Sequence, residues 1–508
     1  MKIFDSAKLR ELDMKTCEAQ SIDSIELMER AAQAVTDEII SRFYPGQRIV
    51  VIAGPGNNGG DALATARMLY EQGYRKVEIF LLNVSGKLSH DCEIERRRLI
   101  TIDGIDFTEI TKAFNPPYLS KDDVVIDGIF GSGLNKPLQG GFISLTRMIN
   151  DSGAYVISLD TPSGLFGEWP EEKNINRRDV VHANLTLTFQ TPRLSFFFEE
   201  NEICTGEWKI LDLDLDEETI RKLPADFTMI DTRNVRPLLR PRPLFSGKRD
   251  YGSALIMAGS LGMMGAAVMC SKATLRCGAG LATVHSARCG MQILQTAAPE
   301  VMFEPDVNER FISDMSVHHN HQVVMVGPGI GTADVTIDAL ESLLGSVKSP
   351  LVLDADALNC IARRPQLLQL LPPQTVITPH QGEFDRLFGE HQSAEERLKK
   401  AIEVAQHYNI IIVLKGHYTA IVRPTGRVYF NSSGNPGMAT AGAGDVLTGV
   451  IGAFIAQGYR PDLAATIGTF IHGLAGDIAA DEIGEFGLVA GDISDRLGRA
   501  IRQVINSK

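Results

Sequence analysis

The sequence predicts two α/β domains, each built on a mainly parallel β-sheet that is covered by helices. Its 508 residues are too many for one ordinary domain and fit two domains of roughly 200 to 280 residues each. In both halves, continuous apolar runs alternate with helical patterns, which is typical of parallel sheets buried on both faces. Between the halves, acidic residues are followed by Pro237, Pro241 and Pro243, which indicates a linker.

The predicted strands place ligands at the carboxyl ends of both sheets. In the first half the strands are residues 48–53, 77–83, 124–130, 155–160 and 181–189. In the second half they are residues 253–258, 281–286, 323–326, 351–354, 375–378 and 410–414. Helices that cover the second sheet follow Gly265, Gln392, Asp445 and Pro461, with another near the C-terminus. We expect a first domain over residues 1–215, a linker over 216–245 and a second domain over 246–508.

Composition indicates a globular protein without nucleic acid as its main partner, and the cysteines fit a reducing cytoplasm. The apolar fraction of 44% is that of a globular protein, and the net charge of -13 argues against nucleic acid as the main partner. Neither a signal peptide nor a membrane span is predicted from the N-terminus or from any long apolar run. The seven cysteines include no C-x-x-C pair, so we expect reduced thiols and neither a zinc site nor a thiol nucleophile.

The most informative stretch is residues 434–449, which read GNPGMATAGAGDVLTG. Gly442 and Gly444 let backbone N–H groups approach an anion at the start of the following apolar helix. Asp445 lies where a hydroxyl proton would be taken. The alternative is a tight turn with an ordinary helix cap before a core helix.

Four further motifs in the second half follow predicted strands: GPGIG (327–331), DADALN (354–359), TPHQGE (378–383) and KGHYT (415–419). Together with Asp445 they offer what phosphoryl transfer needs: a base, charge stabilisation and an aligned acceptor. There is no G-x-x-x-x-G-K-[ST] loop. A structural role for His380 is equally plausible, and the histidines of residues 318–321 indicate a solvated loop rather than a metal site.

The first half carries a Gly-rich turn between a strand and a helix, GPGNNGGD at residues 54–61. It contains G-x-G-x-x-G, with Glu78 at the spacing of a ribose-binding acid, which taken alone weakly predicts a dinucleotide site. Asn57, Asn58 and Asp61 put polar side chains where a pyrophosphate normally meets bare backbone. They indicate coordination of an ion or of substrate instead.

Two later motifs, DGIFGSGLNKP (127–137) and DTPSG (160–164), also follow predicted strands. If the strands are parallel neighbours, these motifs converge with Asn58. Amide, carboxylate and seryl or carbonyl oxygens suit a monovalent or hard cation. The alternative is that Asp127 and Asp160 only cap turns.

At this point both halves resemble a known family, the bifunctional NAD(P)H-hydrate repair enzymes. GPGNNGGD, DGIFGSGL and DTPSG are similar to the N-terminal hydrate epimerase, and the motif order matches over nearly the whole chain. GSLGMMGAAVMCSKATLRCGAGL, GPGIG, TPHQGE, KGHYT and GNPGMATAGAGDVLTG resemble the C-terminal ADP-dependent dehydratase. Ala62 departs from the family, which often has Gly there. The resemblance implies a Rossmann-like three-layer domain followed by a ribokinase-like domain.

For the first domain, the resemblance implies interconversion of the R and S epimers of NADH or NADPH hydrated at C6 of the nicotinamide ring. It implies K⁺ bound by Asn58, Asp127 and Ser163, and we expect Asp160 to transfer the proton. The implied substrate contacts are Asn57, Asn58, Gly59, Gly60, Asp61, Gly131, Ser132, Gly133, Leu134, Asn135, Lys136, Pro137 and Asp160.

For the second domain, the resemblance implies phosphorylation of the S epimer by ADP, followed by loss of phosphate, with Asp445 as the base and Mg²⁺ accompanying the nucleotide. The implied substrate contacts are Ala266, Gly329, His380 and Asp445. The implied nucleotide contacts are Lys415, Gly416, His417, Tyr418, Thr419 and Gly444.

The expected partners are therefore NADH hydrate, NADPH hydrate and ADP, without nucleic acid or membrane, in a homo-oligomer. Fusion of the two domains favours ADP over ATP. One alternative is a ribokinase-like kinase of the thiazole or pyrimidine type with a regulatory first domain, which would release a stable phosphorylated product. Another is a non-catalytic nucleotide-binding or scaffolding protein, for which Asp445→Asn would change no turnover.

Overall fold

The computed structural model describes residues 1–112, 114–169 and 176–507. It divides into two compact units, one of Lys2–Ala225 and one that consists of Met1 and the chain from Asp226 onward. Each unit has helices packed on a mainly parallel sheet, so the predicted α/β class is confirmed.

The first unit has seven parallel strands in the order β4-β3-β2-β5-β6-β7-β8. The strands of this sheet are β2 Ile49–Ala53, β3 Val77–Leu82, β4 Asp106–Ile110, β5 Val124–Gly128, β6 Tyr155–Leu159, β7 Leu185–Phe189 and β8 Glu207–Leu211, and a two-residue strand outside it is β1 Lys2–Ile3. The helices are α1 Ser6–Gln20, α2 Ser24–Arg42, α3 Asn57–Glu71, α4 His90–Leu99, α5 Gly141–Asp151, α6 Glu202–Thr205 and α7 Glu217–Lys222. The strand order reverses between β2 and β5, and ligands bind outside the carboxyl ends of strands at such a point.

The second unit contains the strand order β9-β18-β17-β16-β15-β14-β13-β10-β11-β12. All neighbours are parallel except that β17 runs antiparallel to β16 and β18. The strands are β9 Phe227–Ile230, β10 Ser253–Met257, β11 Leu281–Ser286, β12 Met302–Pro305, β13 Val323–Val326, β14 Leu351–Leu353, β15 Val376–Ile377, β16 Ile411–Leu414, β17 Ala420–Val422 and β18 Val428–Asn431. The helices are α8 Thr232–Val235, α9 Met264–Arg276, α10 Met291–Ala297, α11 Asp334–Ser346, α12 Asp356–Arg363, α13 Gln381–Phe388, α14 Ala394–Tyr408, α15 Ala443–Ala456, α16 Pro461–Ile483 and α17 Ala490–Asn506.

Every predicted strand is present, but edge and short strands were missed. β4 and β8 are edge strands with partly exposed residues, so they lack the continuous apolar run of a buried strand. Within residues 216–245, α7, β9 and α8 are ordered elements, and β9 pairs with β18. The prolines that indicated a linker follow these elements. The boundaries at 215 and 246 stay predictions.

Helix α15 is the central helix of the second unit. It packs against α9 and α16, and twelve of its fourteen residues are buried. Among the described residues one helix, α16, is long and apolar enough to cross a membrane, and 78% of its apolar window is buried inside the protein. Burial on all sides explains why both helices are apolar around their whole circumference.

Candidate active sites

In the first unit, the turn between β2 and α3 packs directly on the end of β5. The Gly54 N–H donates to the Gly128 carbonyl at 3.0 Å. A Cβ on Gly54 would lie 1.8 Å from the Ile129 carbonyl oxygen, and a Cβ on Gly59 would lie 1.8 Å from the Gly54 oxygen. Glycine is therefore required at both positions, and the close packing brings the first turn of α3 to the switch point of the sheet.

Asp127, at the carboxyl end of β5, is fully buried and accepts four hydrogen bonds. Ser163 donates its hydroxyl at 2.5 Å and its backbone N–H at 2.9 Å. Ser158 Oγ donates at 2.8 Å and the Ile129 N–H at 3.3 Å. Burial raises the pKa of Asp127, and these hydrogen bonds lower it only in part. The network joins the end of β5 to the DTPSG loop after β6, as the sequence predicts.

Asn58 lies in the first turn of α3, against the loop after β5. A Cβ on Gly131 would be 3.1 Å from Asn58 Cγ and 2.7 Å from Asp160 Oδ2, so the three predicted loops converge. Among the described residues, neither the buried Oδ1 nor the buried Nδ2 of Asn58 has a hydrogen-bond partner. An unpaired buried amide is costly, whereas its oxygen suits a cation ligand.

The same residues fit a monovalent cation in charge as well. Within residues 1–112, 114–169 and 176–507, the hydrogen-bond donors to Asp127 are neutral hydroxyl and backbone groups. A buried carboxylate without a positive partner is unfavourable. A cation near Asn58, Asp127 and Ser163 would supply the missing charge.

Asp160 follows β6 with a left-handed backbone, φ 63°. Arg193 donates to its Oδ1 from Nε at 3.0 Å and from Nη2 at 2.5 Å, and the Ser132 N–H donates to Oδ2 at 2.7 Å. Burial would raise the pKa of Asp160, but the Arg193 charge and these hydrogen bonds outweigh it and lower the pKa. Asp160 is thus a fixed anion beside Asn58 and Gly131.

Asp61, one turn after Asn58 on α3, has the opposite tendency. Burial, with the added negative charge of Asp160, raises its pKa well above the ordinary value. The first site therefore contains two carboxyl groups whose pKa values are shifted in opposite directions, a pattern typical of acid and base pairs.

In the second unit, the ends of β14 and β16 meet the first turn of α15. Lys415 Nζ donates to Asp354 Oδ1 at 2.9 Å and lies 3.8 Å from Glu383 Oε2. A Cβ on Gly444 would be 3.3 Å from Lys415 Nζ and 3.7 Å from Asp354 Oδ2. The loop that precedes Asp445 is therefore in contact with this ion pair.

Asp445 occupies the first turn of α15, after Gly442 with φ 90°. Its pKa is raised to about 7, first by burial and then by the charges of Asp354 and Asp356, while Lys415 opposes the shift. A carboxylate with this pKa is matched to general base catalysis near neutral pH.

The predicted substrate contacts of the second unit lie on neighbouring loops. A Cβ on Gly329 (φ 66°) would be 3.2 Å from Ala266 Cβ, so these two residues adjoin. His380 caps α13: its Nδ1 accepts from the N–H groups of Gly382 at 3.0 Å and Glu383 at 3.3 Å. The alternative structural role of His380 is real, yet its side chain remains 52% exposed and can still contact a ligand through the ring edge.

The predicted nucleotide loop joins β16 to the antiparallel β17. Thr419 Oγ1 donates to the Gly416 carbonyl at 2.9 Å, and the His417 and Tyr418 rings meet edge to face at 4.4 Å. Lys415, at the start of the loop, is held by Asp354. Its ammonium is therefore fixed in position rather than free to follow a phosphate.

Comparison with known proteins finds a family match for each half of the chain. A family model described as NAD(P)H-hydrate dehydratase matches residues 254–499, and one described as YjeF-related protein N-terminus matches residues 24–195. A bifunctional NAD(P)H-hydrate repair enzyme Nnr from Thermofilum pendens is 36% identical over 99% of this chain and 96% of its own length. Its counterpart in Coxiella burnetii is 33% identical over 97% and 98%.

The chain belongs to the bifunctional NAD(P)H-hydrate repair enzyme family. Membership confirms the predicted function: repair of hydrated NADH and NADPH by an epimerase domain joined to a dehydratase domain. It also confirms a Rossmann-like first domain and a ribokinase-like second domain, and it argues against the kinase and scaffolding alternatives. A solved ADP/ATP-dependent NAD(P)H-hydrate dehydratase from Bacillus subtilis, co-crystallised with ATP and Mg²⁺, is 28% identical, covers 55% of this chain and 98% of its own, and has a TM-score of 0.49.

The sequence-based prediction of the two sites did not include Arg193 or the contacts of Asp354. Arg193 stands in the apolar stretch TPRLSFFF and is 4% exposed. A lone cation in such a stretch indicates a buried charge that needs a partner. This signal would have identified Arg193 from the sequence. Thr448, which donates to Asp354 Oδ2 at 2.9 Å, carried no comparable signal because a threonine in an apolar helix is common.

Proposed function

We propose that the two activities of this family are divided between residues 1–215 and 246–508, with ADP as the co-substrate of the second. The observation that carries the proposal is Asp445, a carboxylate of raised pKa in the first turn of α15 beside Lys415. A base, an ammonium and a helix N-terminus together suit transfer of a phosphoryl group to a hydroxyl.

In the second domain, Asp445 takes the proton of the substrate hydroxyl on C6. The oxygen of that hydroxyl bonds to the β-phosphorus of ADP. The bond from that phosphorus to AMP breaks. The C6–O bond then breaks as phosphate leaves, assisted by the ring-nitrogen lone pair, and loss of a C5 proton restores the dihydropyridine. Substrate is held by Ala266, Gly329 and His380. The nucleotide is held by the loop of Lys415, Gly416, His417, Tyr418 and Thr419 together with Gly444.

Mg²⁺ bound with ADP would neutralise charge on the phosphates. Lys415 and the N–H groups at the start of α15 then stabilise the charge that remains on the transferred group. Fusion of the two domains favours ADP, and ATP is the alternative donor.

In the first domain, we assign the proton transfer to Asp160, assisted by Asp61. Asp61, protonated, gives its proton to the departing C6 hydroxyl, which leaves as water as the ring nitrogen forms a double bond to C6. Water then adds to the opposite face, and Asp160 accepts its proton. The opposed pKa directions of the two carboxyl groups support these roles.

The implied K⁺ fits Asn58, Asp127 and Ser163, because Asn58 has an unpaired buried amide and Asp127 has neutral partners. Bound there, K⁺ would supply positive charge beside the substrate. The loop of Gly131, Ser132, Gly133, Leu134, Asn135, Lys136 and Pro137 would cover the substrate, and Asn57 and Gly59 would present backbone N–H groups to it. The Gly60 N–H donates to the Gly56 carbonyl at 3.1 Å, so Gly60 would contribute through the shape of the turn. We further propose a cytoplasmic homo-oligomer.

The test is to mix the purified protein with both epimers of NADH hydrate, with and without ADP and Mg²⁺. Reduced-nicotinamide absorbance and AMP release are followed together. Complete ADP-dependent recovery, faster than spontaneous epimerisation, is expected. Recovery of only the S fraction would contradict the role of the first domain, and a stable phosphorylated product would indicate a kinase. Replacing ADP by ATP settles the donor.

A further inference from the structure

Asp354 is the most completely buried charged group beside the dehydratase site. It follows β14 and is 1% exposed. One carboxylate oxygen accepts from Lys415 Nζ at 2.9 Å and the other from Thr448 Oγ1 at 2.9 Å. Both oxygens are therefore anchored, one by a charge and one by a neutral hydroxyl.

Thr448 ties Asp354 to the helix that carries the base. Thr448 and Asp445 are three residues apart on α15, so they share one face of the helix. The backbone of Gly444, directly before Asp445, faces Asp354 Oδ2 and Lys415 Nζ, as the 3.7 Å and 3.3 Å separations from a hypothetical Cβ show. Asp354 thus lies under the first turn of α15.

The charges that face Asp445 come from several elements. Asp354 and Lys415 follow β14 and β16, Asp356 begins α12, and Glu383 on α13 lies beside Lys415. Cys270 on α9 also interacts with Asp445, and burial keeps that thiol neutral by raising its pKa. His472 on α16 bonds the Ala443 carbonyl at 3.0 Å, and burial lowers its pKa to about 4, so it is neutral too.

Among the described residues, the charges that act on Asp445 are the carboxylates of Asp354 and Asp356 and the ammonium of Lys415, and that ammonium is already paired with Asp354. A neutral side chain of the same shape, asparagine, could accept from Lys415 through its oxygen and donate an amide N–H to Thr448 Oγ1. A carboxylate at this buried position costs desolvation free energy, so packing alone gives no reason for the charge.

We propose that Asp354 is a positioning residue of the dehydratase: it fixes Lys415 and the first turn of α15, and its buried negative charge keeps Asp445 a strong enough base to accept the substrate hydroxyl proton. This inference rests on the proposed role of Asp445. It goes beyond that role because it assigns the strength of the base to a group that does not touch the reacting atoms.

The test is the pH dependence of kcat/KM for dehydration of (S)-NADH hydrate with saturating ADP and Mg²⁺, over about pH 5.5 to 9. Asp354→Asn is expected to move the acid limb down by about one pH unit, because a like charge is removed and the positive charge of Lys415 is no longer neutralised by Asp354. At alkaline pH its kcat should fall about tenfold, since a weaker base accepts the proton less readily.

Thr448→Val is the matched control, because it removes one hydrogen bond and keeps the charge. Its acid limb should stay at the wild-type pH. Asp354→Glu should restore a wild-type limb. A limb that does not move in Asp354→Asn, with activity lowered equally at every pH, would overturn the proposal and leave Asp354 a packing residue.

If Asp354→Asn does not fold, Lys415→Gln serves instead: loss of the ammonium should move the limb to higher pH, and a limb that stays or falls would refute the charge effect. Failure of the underlying function is distinguishable. If Asp445→Asn keeps full dehydratase turnover, then Asp445 is not the base, whatever the limb of the Asp354 variants does.

Discussion

Arg193 and Asp160 form a buried ion pair in which two guanidinium nitrogens donate to the same carboxylate oxygen, Nε at 3.0 Å and Nη2 at 2.5 Å. The other oxygen accepts from the Ser132 backbone. Because Asp160 also adopts a left-handed backbone, both its charge and its orientation are set by these contacts. Arg193 therefore controls the state of the carboxylate to which we assign proton transfer.

Arg193→Met should leave Asp160 buried without its cation. We expect a loss of about 3 kcal/mol in the free energy of unfolding and a rate of epimerisation lowered about 100-fold. Urea unfolding and the interconversion of R and S hydrates measure the two effects. Arg147→Met is the control, because its pair with Asp179 is exposed and should change stability by less than about 0.5 kcal/mol. Unchanged epimerisation in Arg193→Met would contradict the assignment.

The potassium site predicts a cation dependence confined to epimerisation. Replacing K⁺ by tetramethylammonium should slow the wild-type epimerase about tenfold or more, because Asp127 then lacks a positive partner. Asn58→Ala should be slow in either buffer and insensitive to the exchange. Dehydration of pure S hydrate in the same samples is the internal control. A wild-type epimerase that is indifferent to the cation would argue against the site.

Asp445→Asn should separate activity from stability. Dehydration should fall about 1,000-fold, because the base is lost. The folded-state pKa of Asp445 is raised to about 7, above that of the unfolded chain, so wild-type stability declines as pH rises toward that value. The variant lacks the titrating carboxyl group and does not lose this stability. Its free energy of unfolding relative to wild type should therefore grow by about 2 kcal/mol between pH 5 and pH 8. Thermal unfolding at several pH values measures it. A difference in unfolding free energy that is constant with pH would show that ionisation of Asp445 does not destabilise the folded protein.

Two helical glycines should respond oppositely to alanine. On α15, a Cβ at Gly449 would lie 2.2 Å from the Cys270 carbonyl oxygen of α9, whereas a Cβ at Gly498 on α17 meets nothing within 4 Å. Gly449→Ala should destabilise by about 2 kcal/mol or more, and Gly498→Ala should stabilise by roughly 0.5 to 1 kcal/mol. Equal effects in denaturant unfolding would contradict the close packing of α9 on α15.

Local patterns were sufficient to predict much of the fold. Continuous apolar runs identified β2, β5, β10 and β13 because buried parallel strands have no polar face. Edge strands such as β8 were not predicted, because their half-exposed residues leave an ambiguous hydrophobic pattern. The ordered elements within residues 216–245 were not predicted either. A strand of four residues such as β9 is specified by its partner strand rather than by its own composition.

The sequence by itself determined the two-domain α/β class, the family and the motifs at strand ends, because each depends on residues that are adjacent in the chain. Only the tertiary structure decided which side chains share a charge environment. Asp160 meets Arg193 across 33 positions, and Asp354 meets Lys415 across 61 and Thr448 across 94. The physical reason is that burial and Coulomb interactions depend on distance in space. They lower the pKa of Asp160 and raise that of Asp61, although in sequence both are simply aspartate.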